Sequence, residues 1–156
     1  MGEGGTLSGG VPISIGSSFS ESTVSHEGST VVSKSVVELK DVNIAGALVI
    51  GSMRTVATAT GIFKGAHDGT AQTTFGDVTL VGQPATIDNT GIHFAGQSQG
   101  GDVINQAQAV LDLVLSQANL TMALAQPRVD KPDAEHVNAL AGGILLRLKA
   151  TDPKGE

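Results

Sequence analysis

The residues best suited to chemistry are a serine in a glycine-rich loop and an acid–histidine pair further along the chain. The run Gly96-Gln97-Ser98-Gln99-Gly100 fits the pattern G-x-S-x-G, in which a tight turn exposes a nucleophilic serine beside backbone N–H donors. Asp133 and His136 follow it in the order serine, acid, histidine that such hydrolases use. One hypothesis is therefore a serine hydrolase whose catalytic residues are Ser98, Asp133 and His136.

The sequence does not predict the parallel strands and crossover helices that would have to position this serine. A nucleophile elbow belongs to a parallel sheet, and parallel strands need crossover connections of roughly a dozen residues or more. The chain before Gly96 carries hairpin turns and no helical periodicity, and nothing in the sequence constrains Asp133 and His136 to approach Ser98. We therefore predict a protein that is not an enzyme and interpret the loop as a connector, with the hydrolase as an alternative.

Neither a metal site nor a cofactor is predicted. One polar loop contains four residues that could bind a hard cation, namely Asp130, Asp133, Glu135 and His136. Their spacing does not match the EF-hand pattern, so a solvated acidic loop explains them more simply. The other histidines are dispersed, and the absence of cysteine excludes disulfides and thiolate zinc sites.

The only stretch with helical periodicity follows the glycine-rich loop. Asp102 is a good N-cap, and Asn119 can end the helix in a left-handed conformation. The apolar positions on one face include Val103, Ala107, Val110, Leu111 and Val114. Such a stripe ordinarily marks a core face. It also suits a second alternative, in which these residues line a cavity for a small apolar ligand or lipid held between helix and sheet.

Composition and charge narrow the classes of partner. Aromatic residues make up only 3% of the chain, which disfavours ring-stacking sites for sugars or single-stranded nucleic acid. The net charge of −6, with scattered Lys and Arg, would repel a phosphate backbone and an anionic membrane. No apolar run approaches the ~20 residues of a membrane span, and Met1–Gly10 lacks the apolar core of a signal peptide. We predict no nucleic-acid partner and no membrane span.

Low charge and abundant glycine, serine and threonine predict a mainly β fold with one helix. Only 15% of the residues are charged, and apolar and polar residues alternate within predicted strands such as Val11–Ile15, Leu120–Leu124 and Ile144–Leu148. A long β tract runs from Val31 to Lys64, and Gly65–Gly69 is predicted as its closing turn. We predict a curved antiparallel sheet of roughly seven to nine strands packed around or against the single amphipathic helix.

The same patterns predict one domain. The β-rich domain is expected to span residues 11–150. A glycine-rich, flexible lead at residues 1–10 precedes it, and a polar C-terminal tail at residues 151–156 follows it.

A weak internal repeat lies within the β region. Leu39–Gly46 matches Phe75–Gly82, with an apolar residue, Asp-Val, Ile or Leu, and Gly at equivalent positions. In the first copy Leu39 and Val42 are three residues apart, whereas a regular strand spaces same-face residues by two. We predict a β-bulge before Val42 and before Val78, and a glycine turn after each copy, so that two similar curved hairpins lie in one sheet.

The stretch from Val36 to Gly96 resembles a group of bacterial β domains. The chain is similar to uncharacterised secreted or surface-anchored domains of the choice-of-anchor type. The similar runs are D-V-N-I-A-G-A-L-V-I-G-S, T-A-T, D-V-T-L-V-G-Q-P-A-T-I-D-N-T-G-I-H-F-A-G and the later A-G-G-I-L-L-R-L. The resemblance implies an extracytoplasmic location and a non-enzymatic role in the envelope. It assigns no catalytic or binding residue.

Together these observations favour an extracellular or cell-envelope structural or interaction module without a cofactor. Its partner is not identified by the sequence, and self-association is one of the options. The carrier of an apolar ligand and the Ser98 hydrolase are the two alternatives.

Overall fold

A computed structural model of the protein describes residues 13–88, 90–96 and 106–149. A six-stranded antiparallel sheet is formed by strands in chain order, so that each pairs with the next. Its strands are β1 (Ile13–Glu27), β2 (Thr30–Ile44), β3 (Leu48–Ile62), β4 (His67–Leu80), β5 (Gln83–Asp88) and β6 (Gly91–Phe94). The described later residues form α1 (Gln106–Gln117), β7 (Leu120–Ala125), β8 (Arg128–Asp130), β9 (Asn138–Leu140) and β10 (Gly143–Leu148).

The predicted fold class is confirmed for the described residues. They are mainly β, and the single helix among them packs against an antiparallel sheet that does not close into a barrel. The strands are distributed differently from the prediction, because only six belong to the main sheet. β7 pairs with β10, and β8 pairs with β9, as two separate ribbons. The helix interrupts the series of hairpins, so the later strands pair with each other instead of extending the sheet beyond β6.

Glycine turns close both copies of the repeat, as predicted. After β4, Val81 and Gly82 both have positive φ, of 49° and 77°, and Leu80 pairs with Gln83 across them. Positive φ at both central residues defines the type I′ turn, whose twist matches that of the flanking strands. After β2, Ala45 and Gly46 likewise have φ values of 56° and 66°. The two hairpins, β2–β3 and β4–β5, lie in the same sheet.

The turn between β3 and β4 comes earlier than predicted. We placed it at Gly65–Gly69, but β4 already begins at His67. Lys64 takes the positive φ of 56°, and the Gly65 N–H donates a hydrogen bond to the Ile62 carbonyl at 2.8 Å. These contacts close the turn before Asp-Gly is reached, and the Asp68 carboxylate instead accepts a hydrogen bond from the Gly69 N–H at 2.9 Å.

Along each of the four long strands, the alternation of core-facing and outward-facing side chains reverses at one residue, and these four residues lie side by side across the sheet. Asp41 and Asp77 have φ values of 55° and 53°, and they lie beside Gly16 and Gly51. A Cβ atom on either glycine would lie 2.8 Å from the Cβ of its aspartate, so a larger side chain would collide there. We call Gly16, Asp41, Gly51 and Asp77 the Asp–Gly row.

The predicted bulges are wrong, although the predicted change of face occurs. The pairing register of β1–β2, β2–β3 and β3–β4 is the same on both sides of the Asp–Gly row, so no strand contains an extra residue. The left-handed conformation of Asp41 and Asp77 reverses the alternation instead. As a result Phe75 and Val78, three residues apart in β4, both pack in the core cluster or against it.

The Asp–Gly row divides the long strands into two parts. The inner half runs from the row to the β2–β3 turn and contains most of the hydrophobic core. The largest fully buried side chains come from this half and from the β6 and α1 residues that pack on it. They are Ile44, Leu48, Ile50, Leu80, Ile92, Leu111 and Leu115. The outer half runs from the row to the β1–β2 and β3–β4 turns, and it comprises residues 17–27, 30–40, 52–62 and 67–76.

A small ribbon covers part of the outer half. The β8–β9 ribbon packs on β3 and β4, where a Cβ atom on Gly69 would lie 3.0 Å from Val129 Cγ1 and 3.2 Å from Val137 Cγ2. Gly69 therefore allows the ribbon to approach the sheet closely. The polar loop predicted at Gln126–Asn138 contains β8 and the first residue of β9, so it is more ordered than the sequence indicates.

A polar contact joins the start of β10 to the outer half. The Thr55 hydroxyl donates to the Gly142 carbonyl at 3.1 Å and lies 2.8 Å from the Thr73 hydroxyl on the neighbouring strand. Thr55 is buried, and these partners satisfy it.

Some predicted features lie outside the described residues. They are the lead at residues 1–10, the tail at residues 151–156 and the N-cap at Asp102. The predicted helix end is confirmed, since Asn119 has a φ of 56° just after α1. No helix in the described ranges is long and apolar enough to cross a membrane.

Candidate interaction surface

β1 forms one edge of the main sheet. It pairs with β2 along its length, from Ile13 opposite Ile44 to Glu27 opposite Thr30. The residues that the structure describes place no strand on its other side. Alternate N–H and C=O groups of an edge strand point away from the sheet and can pair with another strand. At ~3.4 Å per residue, β1 presents such groups over roughly 50 Å.

β1 lacks most of the features that protect an edge from pairing. It contains no Lys, Arg or Pro, and its only acidic residues are Glu21 and Glu27. Every side chain from Gly16 to Glu27 is exposed. Phe19 stands out among them because its aromatic side chain is 53% exposed. Long edges without lysine or proline readily accept a further strand.

The row of side chains around Phe19 carries balanced charge. Phe19 lies directly opposite Glu38 in β2, and Glu38 lies opposite Arg54 in β3. The Arg54 Nε atom lies 2.8 Å from the Glu38 Oε1 atom, which makes an ion pair on the exposed face of the sheet. Because directly opposite side chains share a face, the nearest carboxylate to Phe19 across the strand is already paired.

A second exposed aromatic residue lies at the far end of the outer half. Phe63, in the β3–β4 turn, is 79% exposed, and its ring lies 5.5 Å from the Lys64 Nζ atom. The Phe63 N–H donates to the Ser29 carbonyl at 3.1 Å, so this turn is tied to the β1–β2 turn. An open cleft of about 730 Å³ lies beside it, between Val31, Ile62 and Glu135.

The acid–histidine pair predicted from the sequence is present. The His136 Nδ1 atom lies 2.7 Å from Asp133 Oδ1, and the Glu135 N–H donates to the same oxygen at 2.8 Å. The hydrogen bond with His136 holds the pKa of the Asp133 carboxyl below its ordinary value, and the Glu135 N–H acts in the same direction. Both side chains are more than half exposed. They lie between β8 and β9, where the pair closes a polar turn.

The chain that leads into the Ser98 loop lies towards the other end of β4. The Ala95 N–H donates to the Pro84 carbonyl at 2.9 Å, and Pro84 pairs with Thr79. The ribbon that carries the acid–histidine pair packs instead on Gly69, about 33 Å away along the strand at ~3.3 Å per residue. Ser98 itself lies outside the described residues. The described residues give the hydrolase alternative no support.

The helix residues considered as a ligand lining mostly pack in the core. Ala107 and Leu111 are fully buried, Val110 packs against the same cluster, and Val114 is half-buried. Val103 lies outside the described residues. The apolar side chains of α1 therefore fill the space between the helix and the sheet, as the apolar face of a helix ordinarily does.

The described residues contain no group of three or more His, Cys, Asp or Glu side chains arranged to hold a metal ion. In particular, the acidic loop before β9 does not gather such a set. Its best-defined contacts are the acid–histidine pair and an ion pair in which Lys131 Nζ lies 3.4 Å from Asp68 Oδ1.

Comparison with protein-family models, with curated proteins and with solved structures found no match. The resemblance to surface-anchored bacterial β domains therefore remains a prediction from the sequence.

The sequence reasoning did not identify the β1 edge or its exposed phenylalanine. It predicted only a polar, β-prone stretch from Ser17 to Ser33. Phe19 could have indicated this surface. It is an aromatic residue among serines and threonines, and the surrounding sequence has no apolar alternation that would predict its burial in a core.

Proposed function

We propose that this protein is a non-catalytic interaction module of the cell envelope or extracellular space, which binds its partner through the β1 edge. The observation that carries the proposal is the length of β1, which is paired on one side only in the described residues. Strand addition to such an edge uses backbone hydrogen bonds for affinity and side chains on alternate positions for specificity.

The chemistry of the surface supports this role. Serine and threonine, with few charges, cover the exposed part of β1, and an extracellular β domain commonly has this composition. The resemblance to surface-anchored bacterial domains supports the same location. The core is packed by the protein's own helix, so the molecule does not depend on a ligand to fill it.

The location can be tested on intact cells that produce the protein natively. We expect a protease added outside the cells, or outside cells whose outer membrane alone has been opened, to remove the protein while a cytoplasmic marker survives. Complete protection until the cells are lysed would contradict an envelope or extracellular location.

The binding surface can be tested by site-specific photo-cross-linking in the same cells. A photoreactive residue at Ser20, on β1, is compared with one at Leu113, an exposed position on α1. We expect a discrete cross-linked product from position 20 and none from position 113. Absence of a product at position 20, or products only at 113, would contradict binding at the edge.

A further inference from the structure

We infer that β1 binds β1 of a second copy of this chain, antiparallel, about a two-fold axis through Phe19. The inference rests on the proposed function, because it names the partner of the β1 edge. A two-fold axis perpendicular to the sheet keeps each face continuous across the pair and joins two six-stranded sheets into one.

The positions of the carboxylates select the register. An axis at any residue from Ser20 to Val24 would place Glu21 of one copy opposite or diagonal to Glu21 or Glu27 of the other. Like charges in these positions are destabilising. An axis at Ser25, His26 or Glu27 would likewise place Glu27 of one copy opposite or diagonal to Glu21 or Glu27 of the other.

An axis at Phe19 gives the longest overlap free of this repulsion. The two strands then pair over Ser17–Glu21, the part of β1 that lies beyond the change of face at Gly16, and Glu21 lies opposite Ser17 of the second copy. A residue on the axis lies opposite the same residue of the second copy. The N–H and C=O groups that point away from β2 on one strand therefore face the equivalent groups on the other strand.

The same register brings exposed apolar groups together. The two Phe19 side chains become direct neighbours, and aromatic pairs across antiparallel strands are stabilising. In each copy, Glu38 and Arg54 lie next to Phe19 on the neighbouring strands and form an ion pair. The cross-strand row through the two Phe19 residues therefore contains no uncompensated charge.

The first experiment measures the mass of the protein in solution over a range of concentrations by light scattering. We expect twice the chain mass of 15.7 kDa at high concentration and dissociation on dilution. Phe19→Lys places two like charges directly opposite each other and should weaken the dimer at least ~10-fold. Phe63→Lys, a matched change of an exposed aromatic residue far from the edge, should leave it intact, and circular dichroism checks that both variants fold.

The second experiment tests the register and uses the absence of cysteine from the chain. Directly opposite Cα atoms in antiparallel strands lie ~4.5–5.5 Å apart, within the range that a disulfide spans. Under mild oxidation Phe19→Cys should form a disulfide dimer at least ~10-fold faster than Ser17→Cys or Thr23→Cys. A mixture of Ser17→Cys and Glu21→Cys chains should form the mixed dimer.

Several results would overturn the inference. They are a monomer at every concentration, a dimer unchanged by Phe19→Lys, and fastest oxidation at Thr23→Cys. A monomer whose outward β1 amides resist hydrogen exchange would mean that another segment of the same chain covers the edge. If position 20 cross-links only to a different protein, the proposed function stands and the self-pairing fails, whereas no cross-link there contradicts both.

Discussion

The inner and outer halves of the long strands share one register but are stabilised differently. In the inner half, Leu48, Ile50 and Leu80 are fully buried beneath α1 and its neighbouring strands. In the outer half, the β8–β9 ribbon covers β3 and β4, while the β1 side chains are exposed. Stability is therefore concentrated at one end of the sheet, and the other end is available to present a surface.

The outer half is held by pairing and by polar contacts more than by a core. The cross-strand register is unbroken along this half, and the Thr55 hydroxyl adds hydrogen bonds to Thr73 and to the Gly142 carbonyl. Regions with few buried apolar contacts open at lower free energy than the core. Substitutions in the two halves should therefore have different effects on the free energy of unfolding.

The largest contrast should come from two isoleucines of β3. Ile50 is 0% exposed and Ile62 is 39% exposed. Ile50→Ala should lower the free energy of unfolding by about 2–5 kcal/mol, because it removes buried apolar surface and leaves a cavity. Ile62→Ala should cost less than about 1.5 kcal/mol. Urea titrations measure both, and equal losses would contradict a core concentrated in the inner half.

The boundary between the halves can be tested at Gly51. Gly51→Ala would place a Cβ atom 2.8 Å from Asp77 Cβ, and the strain should cost about 1–3 kcal/mol. Gly143→Ala is the control, since a Cβ atom there meets nothing within 4 Å. Thermal unfolding compares the two variants. No greater loss for Gly51→Ala would mean that the Asp–Gly row adapts without strain.

The polar contribution to the outer half can be measured at Thr55. Thr55→Val keeps the shape of the side chain but removes its hydrogen bonds to Thr73 and to the Gly142 carbonyl. The expected loss is about 1–2 kcal/mol, because the buried carbonyl loses its donor. Thr74→Val, on the other face, removes a single exposed hydrogen bond of 3.3 Å to the Arg54 carbonyl. It should cost less than about 0.5 kcal/mol. Similar values for both would show that the Thr55 contact contributes little.

The smallest effect should come from the acid–histidine pair. The pKa of Asp133 is held below its ordinary value, so its contribution to stability is present above that ordinary value and is lost as the pH falls through the lowered pKa. His136→Ala should raise the pKa of Asp133 towards its ordinary value, as measured by NMR titration of the carboxyl carbon. Because both side chains are exposed, the unfolding midpoint near neutral pH should change little. An unchanged pKa would contradict the pairing.

The repeat and the turn chemistry made the main sheet predictable from the sequence. Asp-Val followed by an apolar residue and glycine located both hairpins, because the positive φ that both turns contain favours glycine strongly. The same pattern predicted the change of face at Val42 and Val78 but not its cause. A bulge and a left-handed aspartate shift the alternation in the same way, and only the register across the strands distinguishes them.

The surface was less predictable than the sheet. Which strand lies at an edge depends on the order in which the strands pair across the sheet. The alternation of apolar and polar residues within each strand does not reveal that order. The polar loop between β7 and β10 also concealed a ribbon, because β8 and β9 are short and pair only with each other. The catalytic hypothesis depended on spacing in the sequence. That spacing predicted the pairing of Asp133 with His136, whereas Ser98 lies outside the described residues.

The unbroken register of the long hairpins also makes the sheet a spacer of adjustable length. Each strand advances ~3.3–3.4 Å per residue, so adding two residues to each long strand beyond the Asp–Gly row would move the Phe63 turn about 7 Å further from the core. An even insertion preserves which side chains face each side, whereas an odd one reverses them. The distance between the packed base and the exposed tip can therefore change without redesign of either end.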